Sequence, residues 1–290
     1  MARRKKRFKK RWIALGLFLV LGGCAVKTIM EMPMEEMQQM AEDARNFTAE
    51  VEDGFATNDG IHTAAHGNPD APVALYFVHG SPGDWTAFSS YLMNEDLKTN
   101  YLMFSPDRPG YGATDPGVTD GSFASQARRL APLAQDVDAR KIWIGHSFGV
   151  PIIAKVAADQ PDLVDGLIFI GGAMSVEFER KKWYHSLGNT RLARAVLSDS
   201  WRVANEEAIA FEDEFVNLEA DWETITCPVT IIHATNDSLA DYRHVDFAVE
   251  QITNAPVEVV KLEKGDHFVL WSDPQIVIEA IDAMATQLTN

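Results

Sequence analysis

Lys141-Ile142-Trp143-Ile144-Gly145-His146-Ser147-Phe148-Gly149, followed by the helix-compatible run Val150 to Ala158, decides how the chain is read. A short apolar run reads as a buried strand, and it ends in Gly-x-Ser-x-Gly. A serine in a sharp strand-to-helix turn is pushed out of the fold by a strained backbone, and the residues two before and two after it must be small. Gly145 and Gly149 fill those positions, and Pro151 falls in the first turn of the helix, where its missing N–H costs little. The pattern predicts a nucleophilic Ser147 with a helix N-terminus behind it to hold negative charge. A bare pentapeptide is a weak signal, so the reading depends on finding a base, an acid and an oxyanion loop elsewhere.

Working outward, Val73 to Val78 is a continuous apolar run that ends in His79-Gly80-Ser81-Pro82-Gly83. Tyr101 to Ser105 ends in Asp107-Arg108-Pro109-Gly110-Tyr111-Gly112. Further runs lie at Leu167–Ile170, Pro228–Ile232 and Val257–Val260, and the chain closes with a helical pattern from about Pro274 to Leu288. Continuous apolar strands alternating with helices indicate a mostly parallel sheet covered on both faces. Asn58-Asp59-Gly60 marks an edge hairpin within residues 47–66. The alternation breaks once, over about fifty residues between Gly172 and Cys227 that are helical in pattern and rich in aromatics. A connection that long predicts a helical cap at about 173–225. Its aromatics (Phe178, Trp183, Tyr184, Trp201, Phe211, Phe215, Trp222) are expected to form mainly the cap's own core.

His79-Gly80-Ser81-Pro82-Gly83, Asp107-Arg108-Pro109-Gly110-Tyr111-Gly112 and Gly145-His146-Ser147-Phe148-Gly149, with Gly265-Asp266-His267, match in order the landmarks of the α/β-hydrolase fold, which the chain resembles over roughly 48–288. The resemblance implies a mostly parallel sheet with a helical cap between strands 6 and 7. It also implies a chain order of nucleophile, acid and histidine: Ser147, Asp237 and His267. Asp241 and Asp246 are alternatives for the acid. Asp266 is expected to cap its loop, His146 to pack, and Arg108 to pin a loop by an ion pair. The backbone N–H groups of Ser81 and Phe148 are the implied oxyanion donors; Pro82 has no N–H to give.

A serine disfavours the relatives that use aspartate there. The loop resembles that of capped esterases, lactonases, carbon–carbon hydrolases and iminopeptidase-like enzymes. The expected reaction is hydrolysis of a small carboxylic ester or thioester through an acyl-Ser147 intermediate, requiring no metal or organic cofactor. A carbon–carbon hydrolase or acyltransferase with the same triad, and a non-catalytic envelope lipoprotein, are the alternatives.

The chain has 290 residues, enough for one α/β domain with an insertion, and a formal net charge of −16. Eight of its 26 basic residues fall in the first eleven positions; without them 18 basic side chains face 42 acidic ones, a net of −24. So acidic a surface argues against nucleic-acid binding. Residues 1–11 form a basic segment, and Trp12 to Leu21 is an apolar stretch too short to span a bilayer but sized for a signal peptide. Leu21-Gly22-Gly23-Cys24 resembles the lipobox of bacterial lipoproteins, which implies cleavage after residue 23, a lipidated Cys24 and a membrane-anchored envelope protein. An uncleaved signal anchor is the alternative. Residues 24–47, with five methionines from Met30 to Met40, read as a tether with helical character. Clustered thioethers could hold Cu(I), but nothing else in the chain supplies soft ligands. Cys227 reads as a buried, inert thiol, and the domain at 48–290 is expected to be a monomer.

Overall fold

The computed structural model describes residues 34–51, 54–179 and 188–290. The segment expected to be a signal peptide, the expected lipidation site Cys24, and Trp183 and Tyr184 of the cap lie outside the described residues. Eight strands form one sheet: β1 (Phe55–Asn58), β2 (Ile61–Gly67), β3 (Val73–Val78), β4 (Leu102–Pro106), β5 (Arg140–His146), β6 (Gly166–Ile170), β7 (Val229–Ala234) and β8 (Val257–Leu262). Their spatial order is β1-β2-β4-β3-β5-β6-β7-β8, with β1/β2 and β2/β4 antiparallel and every other pair parallel. The hairpin turn has Asp59 and Gly60 at φ of 48° and 79°, the two left-handed residues of a type I′ turn.

The helices are α1 (Met34–Glu50), α2 (Ser89–Leu92), α3 (Glu95–Asn100), α4 (Phe123–Leu130), α5 (Gly149–Asp159), α6 (Arg191–Arg194), α7 (Asp199–Leu218), α8 (Arg243–Gln251), α9 (Val269–Ser272) and α10 (Pro274–Thr289). Because side chains alternate across a strand, each central strand feeds two cores. On one face Tyr76 stacks between Phe104 and Trp143, at centroid distances of 5.0 and 4.7 Å, under α4, α5 and α8. On the other, Leu75, Phe77, Ile142 and Ile144 meet α2 and α10.

Two sequence expectations change. The boundary at 47/48 falls inside α1, which is packed onto the domain rather than serving only as a tether. Phe47 is fully buried against Phe55 and Trp85, and Ser89 donates its hydroxyl to the Met40 carbonyl over 2.9 Å. Among the described residues, the cap aromatics Phe211, Phe215 and Trp222 also do not serve only as the cap's own core. Phe211 and Phe215 of α7 pack on Phe123 and Phe148, and Trp222 is buried against Phe169 and Phe247. They join the cap to the sheet domain, whose aromatics give the apolar face of α7 a layer to pack on.

Candidate active site

The chain enters the parallel part of the sheet at its middle. β3 has β4 on one side and β5 on the other, so the strand order reverses there. Open α/β sheets bind ligands outside the carboxyl ends of the strands at such a point. The loops after β3, β5, β7 and β8 carry Ser81, Ser147, Asp237 and His267 respectively.

Ser147 has φ of 53°, a left-handed conformation costing a side-chain-bearing residue about 1–3 kcal/mol. The surroundings enforce it. The Ser147 N–H donates to the Ile170 carbonyl at the end of β6 (2.9 Å), and Val150 N–H donates to the Ser147 carbonyl (3.1 Å). A Cβ on Gly149 would lie 2.2 Å from the Val78 carbonyl oxygen, so only glycine allows α5 to leave the sheet this closely.

His267 Nε2 lies 2.9 Å from Ser147 Oγ, and its Nδ1 lies 2.8 Å from Asp237 Oδ2. The other oxygen of Asp237 accepts the N–H groups of Leu239 and Ala240, each at 2.8 Å. Burial opposes the charge on Asp237, but hydrogen bonds from His267, Ala240 and Leu239 outweigh it and hold the carboxyl below the usual carboxylate range. An ionised Asp237 makes Nδ1 the protonated nitrogen of a neutral His267 and leaves the Nε2 lone pair for the serine proton.

Neighbouring histidines hold this geometry. Burial brings His146 down to about 3, so it is neutral, and its Nε2–H donates to the His267 carbonyl over 3.0 Å. His233, also lowered by burial, pairs with the Ala240 carbonyl at 2.9 Å and fixes the turn holding Asp237. Asp266 accepts the Phe268 N–H. Of the alternative acids, Asp241 is engaged by Arg243 at 2.7 Å and Asp246 is exposed on α8. Cys227 is half-buried, and burial pushes its thiol up to about 12, far from a neutral-pH nucleophile.

The Gly80–Ser81 loop rests on Ser147: a Cβ on Gly80 would be 3.0 Å from Ser147 Cβ. Phe148 caps the start of α5, adding the helix's positive end to its own N–H. Among the described residues, no protein acceptor takes the N–H of Phe148 or Ser81.

Arg108 pins the loop that carries it, as the sequence suggested, but its partner Glu207 was missed. Glu207 sits on α7, fully buried, and Arg108 Nη1 donates to its Oε1 over 2.7 Å. Its one trace in the sequence is its place on the helical stripe of Val203, Phe215 and Leu218, where a buried carboxylate requires a partner that spacing along the chain does not name.

The chain matches the model of the alpha/beta hydrolase family over residues 75–280 and belongs to that family. Among its relatives is human Protein ABHD8, 31% identical over 110 residues, 35% of this chain and 24% of that protein. The chain thus spans about a quarter of that relative's length. A second is the 2-hydroxy-6-oxononadienedioate/2-hydroxy-6-oxononatrienedioate hydrolase of a Pseudomonas species, 30% identical over 120 residues, 40% of this chain and 41% of that one. Among solved structures, a bacterial membrane phospholipase A superposes with a TM-score of 0.61 at 20% identity, covering 97% of this chain and 99% of that one.

Proposed function

We propose that the protein is a serine hydrolase that cleaves a carboxylic ester or thioester through an acyl-Ser147 intermediate. The observation that carries this reading is the chain of contacts from Ser147 Oγ through His267 to a buried, ionised Asp237, beside two N–H groups with no protein acceptor. His267 Nε2 takes the Ser147 proton as Oγ attacks the acyl carbon. The carbonyl oxygen gains charge facing the N–H groups of Phe148 and Ser81, each such donor contributing about 3–4 kcal/mol. His267 then passes its proton to the departing alcohol or thiol. Water, deprotonated by the same nitrogen, attacks the acyl-enzyme to release the acid and free Ser147.

The test is turnover of a chain-length series of p-nitrophenyl esters by wild type and Ser147→Ala. Removing the nucleophile should cut kcat by several orders of magnitude, leaving at most a residual advantage of about 10³–10⁴ over water. Esterase activity that survives in Ser147→Ala would sink the reading. The Pseudomonas relative favours, as second reading, hydrolysis of a carbon–carbon bond in an oxo acid by the same triad; identifying the products of such a substrate separates the two. An acyltransferase would instead show itself by product formed on an added alcohol. Failure of Ser147 to label with a fluorophosphonate would favour a non-catalytic envelope role. We further propose that Cys24 is lipidated and anchors a monomeric catalytic domain at a bacterial envelope membrane. Loss of membrane association and of palmitate labelling in Cys24→Ala is the expected outcome, and unchanged association would refute it.

A further inference from the structure

Glu207 receives five hydrogen bonds from four side chains. Arg108 Nη1 (2.7 Å) and Gln126 Nε2 (3.1 Å) donate to Oε1, while Ser81 Oγ (2.6 Å), Tyr111 Oη (2.7 Å) and Arg108 Nη2 (3.2 Å) donate to Oε2. The carboxylate belongs to the cap, and every donor belongs to the sheet domain. The Arg108 guanidinium also lies over the rings of Tyr111 and Phe148, at 4.7 and 4.9 Å. One buried ion pair therefore touches both residues proposed above as oxyanion donors.

The second contact of Arg108 shows what the pair does. Its Nη2 donates to the Gly80 carbonyl over 3.0 Å. His79 donates to the same oxygen. The Arg108 backbone N–H must donate to His79 Nε2 (3.0 Å), so the ring proton sits on Nδ1, which lies 2.8 Å from Gly80 O. Burial, with the Arg108 charge beside it, keeps that ring neutral and its tautomer fixed. Burial would likewise discharge Arg108, but Glu207 and Tyr111 hold it charged. The Gly80–Ser81 peptide is trans and planar, so its C=O and N–H point in opposite directions. Fixing the Gly80 carbonyl with two donors, one charged, fixes where the Ser81 N–H points. It also polarises the amide, strengthening that N–H as a donor.

We propose that Arg108 and Glu207 are positioning residues for the oxyanion hole. The pair orients and polarises the Gly80–Ser81 peptide, and the cap takes part in the chemistry by supplying the carboxylate that holds it in place. The inference rests on the acyl-Ser147 reading and deepens it.

The test compares full-length wild type with Arg108→Met/Glu207→Leu. Replacing a whole buried pair by apolar side chains is often tolerated, and here it also removes the Arg108 Nε–H, which has no partner among the described residues. The readouts are melting temperature, kcat and KM on p-nitrophenyl butyrate, and the inhibition constant of butylboronic acid, whose tetrahedral adduct places an oxygen in the same hole. Weakening one oxyanion donor should lower kcat about 10²-fold with KM moving less than about threefold. The boronate constant should rise by about the factor by which kcat falls. A pair that merely held the cap down would raise KM and leave kcat intact, and that result would overturn the proposal. The second variant, Ser81→Ala, deletes only the hydroxyl held by Glu207 and keeps the N–H. It should lose about tenfold in kcat at constant KM, and an unchanged kcat would count against the proposal even if the double variant did not fold. If wild type hydrolysed no ester and Ser147 did not label with a fluorophosphonate, the hydrolase reading itself would fall and take this one with it. Normal wild-type turnover with an unaffected double variant would remove this inference alone.

Discussion

Asp237→Asn is the substitution whose consequence follows most directly from the geometry. Asp237 Oδ1 accepts two backbone N–H groups at 2.8 Å, so in asparagine the carbonyl oxygen must stay there; an amide nitrogen would face two donors. The NH2 is thereby forced into the Oδ2 position, 2.8 Å from His267 Nδ1. Since NH2 only donates, Nδ1 must become the unprotonated nitrogen and the imidazole proton moves to Nε2. That proton then points at Ser147 Oγ, 2.9 Å away, and Nε2 can no longer accept the serine proton. Size and packing are unchanged, so the variant should fold. The loss of kcat should be about 10⁴-fold, about 5.5 kcal/mol of barrier, as for the same tautomer inversion in other Ser-His-Asp sites. The assay is steady-state p-nitrophenyl ester hydrolysis, with circular dichroism to verify the fold and Asp241→Asn as the control. Asp241 is engaged by Arg243, and it is Asp237 that meets His267 Nδ1, so the Asp241 variant should stay within about twofold of wild type. Retention of more than about a tenth of kcat in Asp237→Asn, or a severe loss in Asp241→Asn, would refute the assignment.

The same carboxylate gives a pH prediction. Its folded pKa is depressed, so it contributes stability that is present above the unfolded value of about 3.9 and is lost as pH falls through the lower folded value. Urea titrations should therefore show the stability gap between wild type and Asp237→Asn narrowing below about pH 4; a gap that widened there would contradict the sign. Gly149→Ala places a methyl group 2.2 Å from the Val78 carbonyl oxygen, a contact that only backbone movement relieves. Overpacking of this kind costs about 1–3 kcal/mol or more, readable as a lower urea midpoint, and wild-type stability with full activity would argue against the elbow as described. Phe47→Ala should cost about 3–5 kcal/mol, because the ring is fully buried. A change below about 0.5 kcal/mol, ordinary for surface sites, would return α1 to the status of a tether.

The central strands were legible because a parallel strand is apolar on both faces, so Val73–Val78 and Leu167–Ile170 stand out from any helix of similar length. The turn at Asp59-Gly60 was equally plain, since its two left-handed residues restrict the residue types allowed. Ser147 and His267 were legible through local motifs. Asp237 was separable from Asp241 and Asp246 only by the resemblance, because what distinguishes it is a pair of backbone donors and a 2.8 Å contact to a loop thirty residues away. Glu207 was not legible as a site residue. It adjoins Glu206 on a helix that also exposes acids, and its donors lie 99 residues away at Arg108 and 126 away at Ser81. Spacing along the chain carries no trace of such a pairing. The α1 segment misled for a related reason: methionine and glutamate suit a spacer as well as a packed helix, and only the aromatic cage around Phe47 decides between them.

What places the Gly80–Ser81 loop against Ser147 is strand register. β3 and β5 are adjacent and parallel, and Val78 pairs with Gly145. Two residues beyond that pair, the chains reach Gly80 and Ser147, which accounts for the 3.0 Å approach between their β positions. One residue further come Ser81 and Phe148, so the two N–H groups leave neighbouring strands at the same level. A slip of one residue would turn every side chain of β5 to the opposite face and put Trp143 into the core now filled by Ile142 and Ile144. The apolar alternation that builds the two cores therefore also fixes the separation of the Ser81 and Phe148 N–H groups. What register does not set is the tilt of the Gly80–Ser81 peptide about its own axis, and that is the freedom the Arg108–Glu207 pair removes.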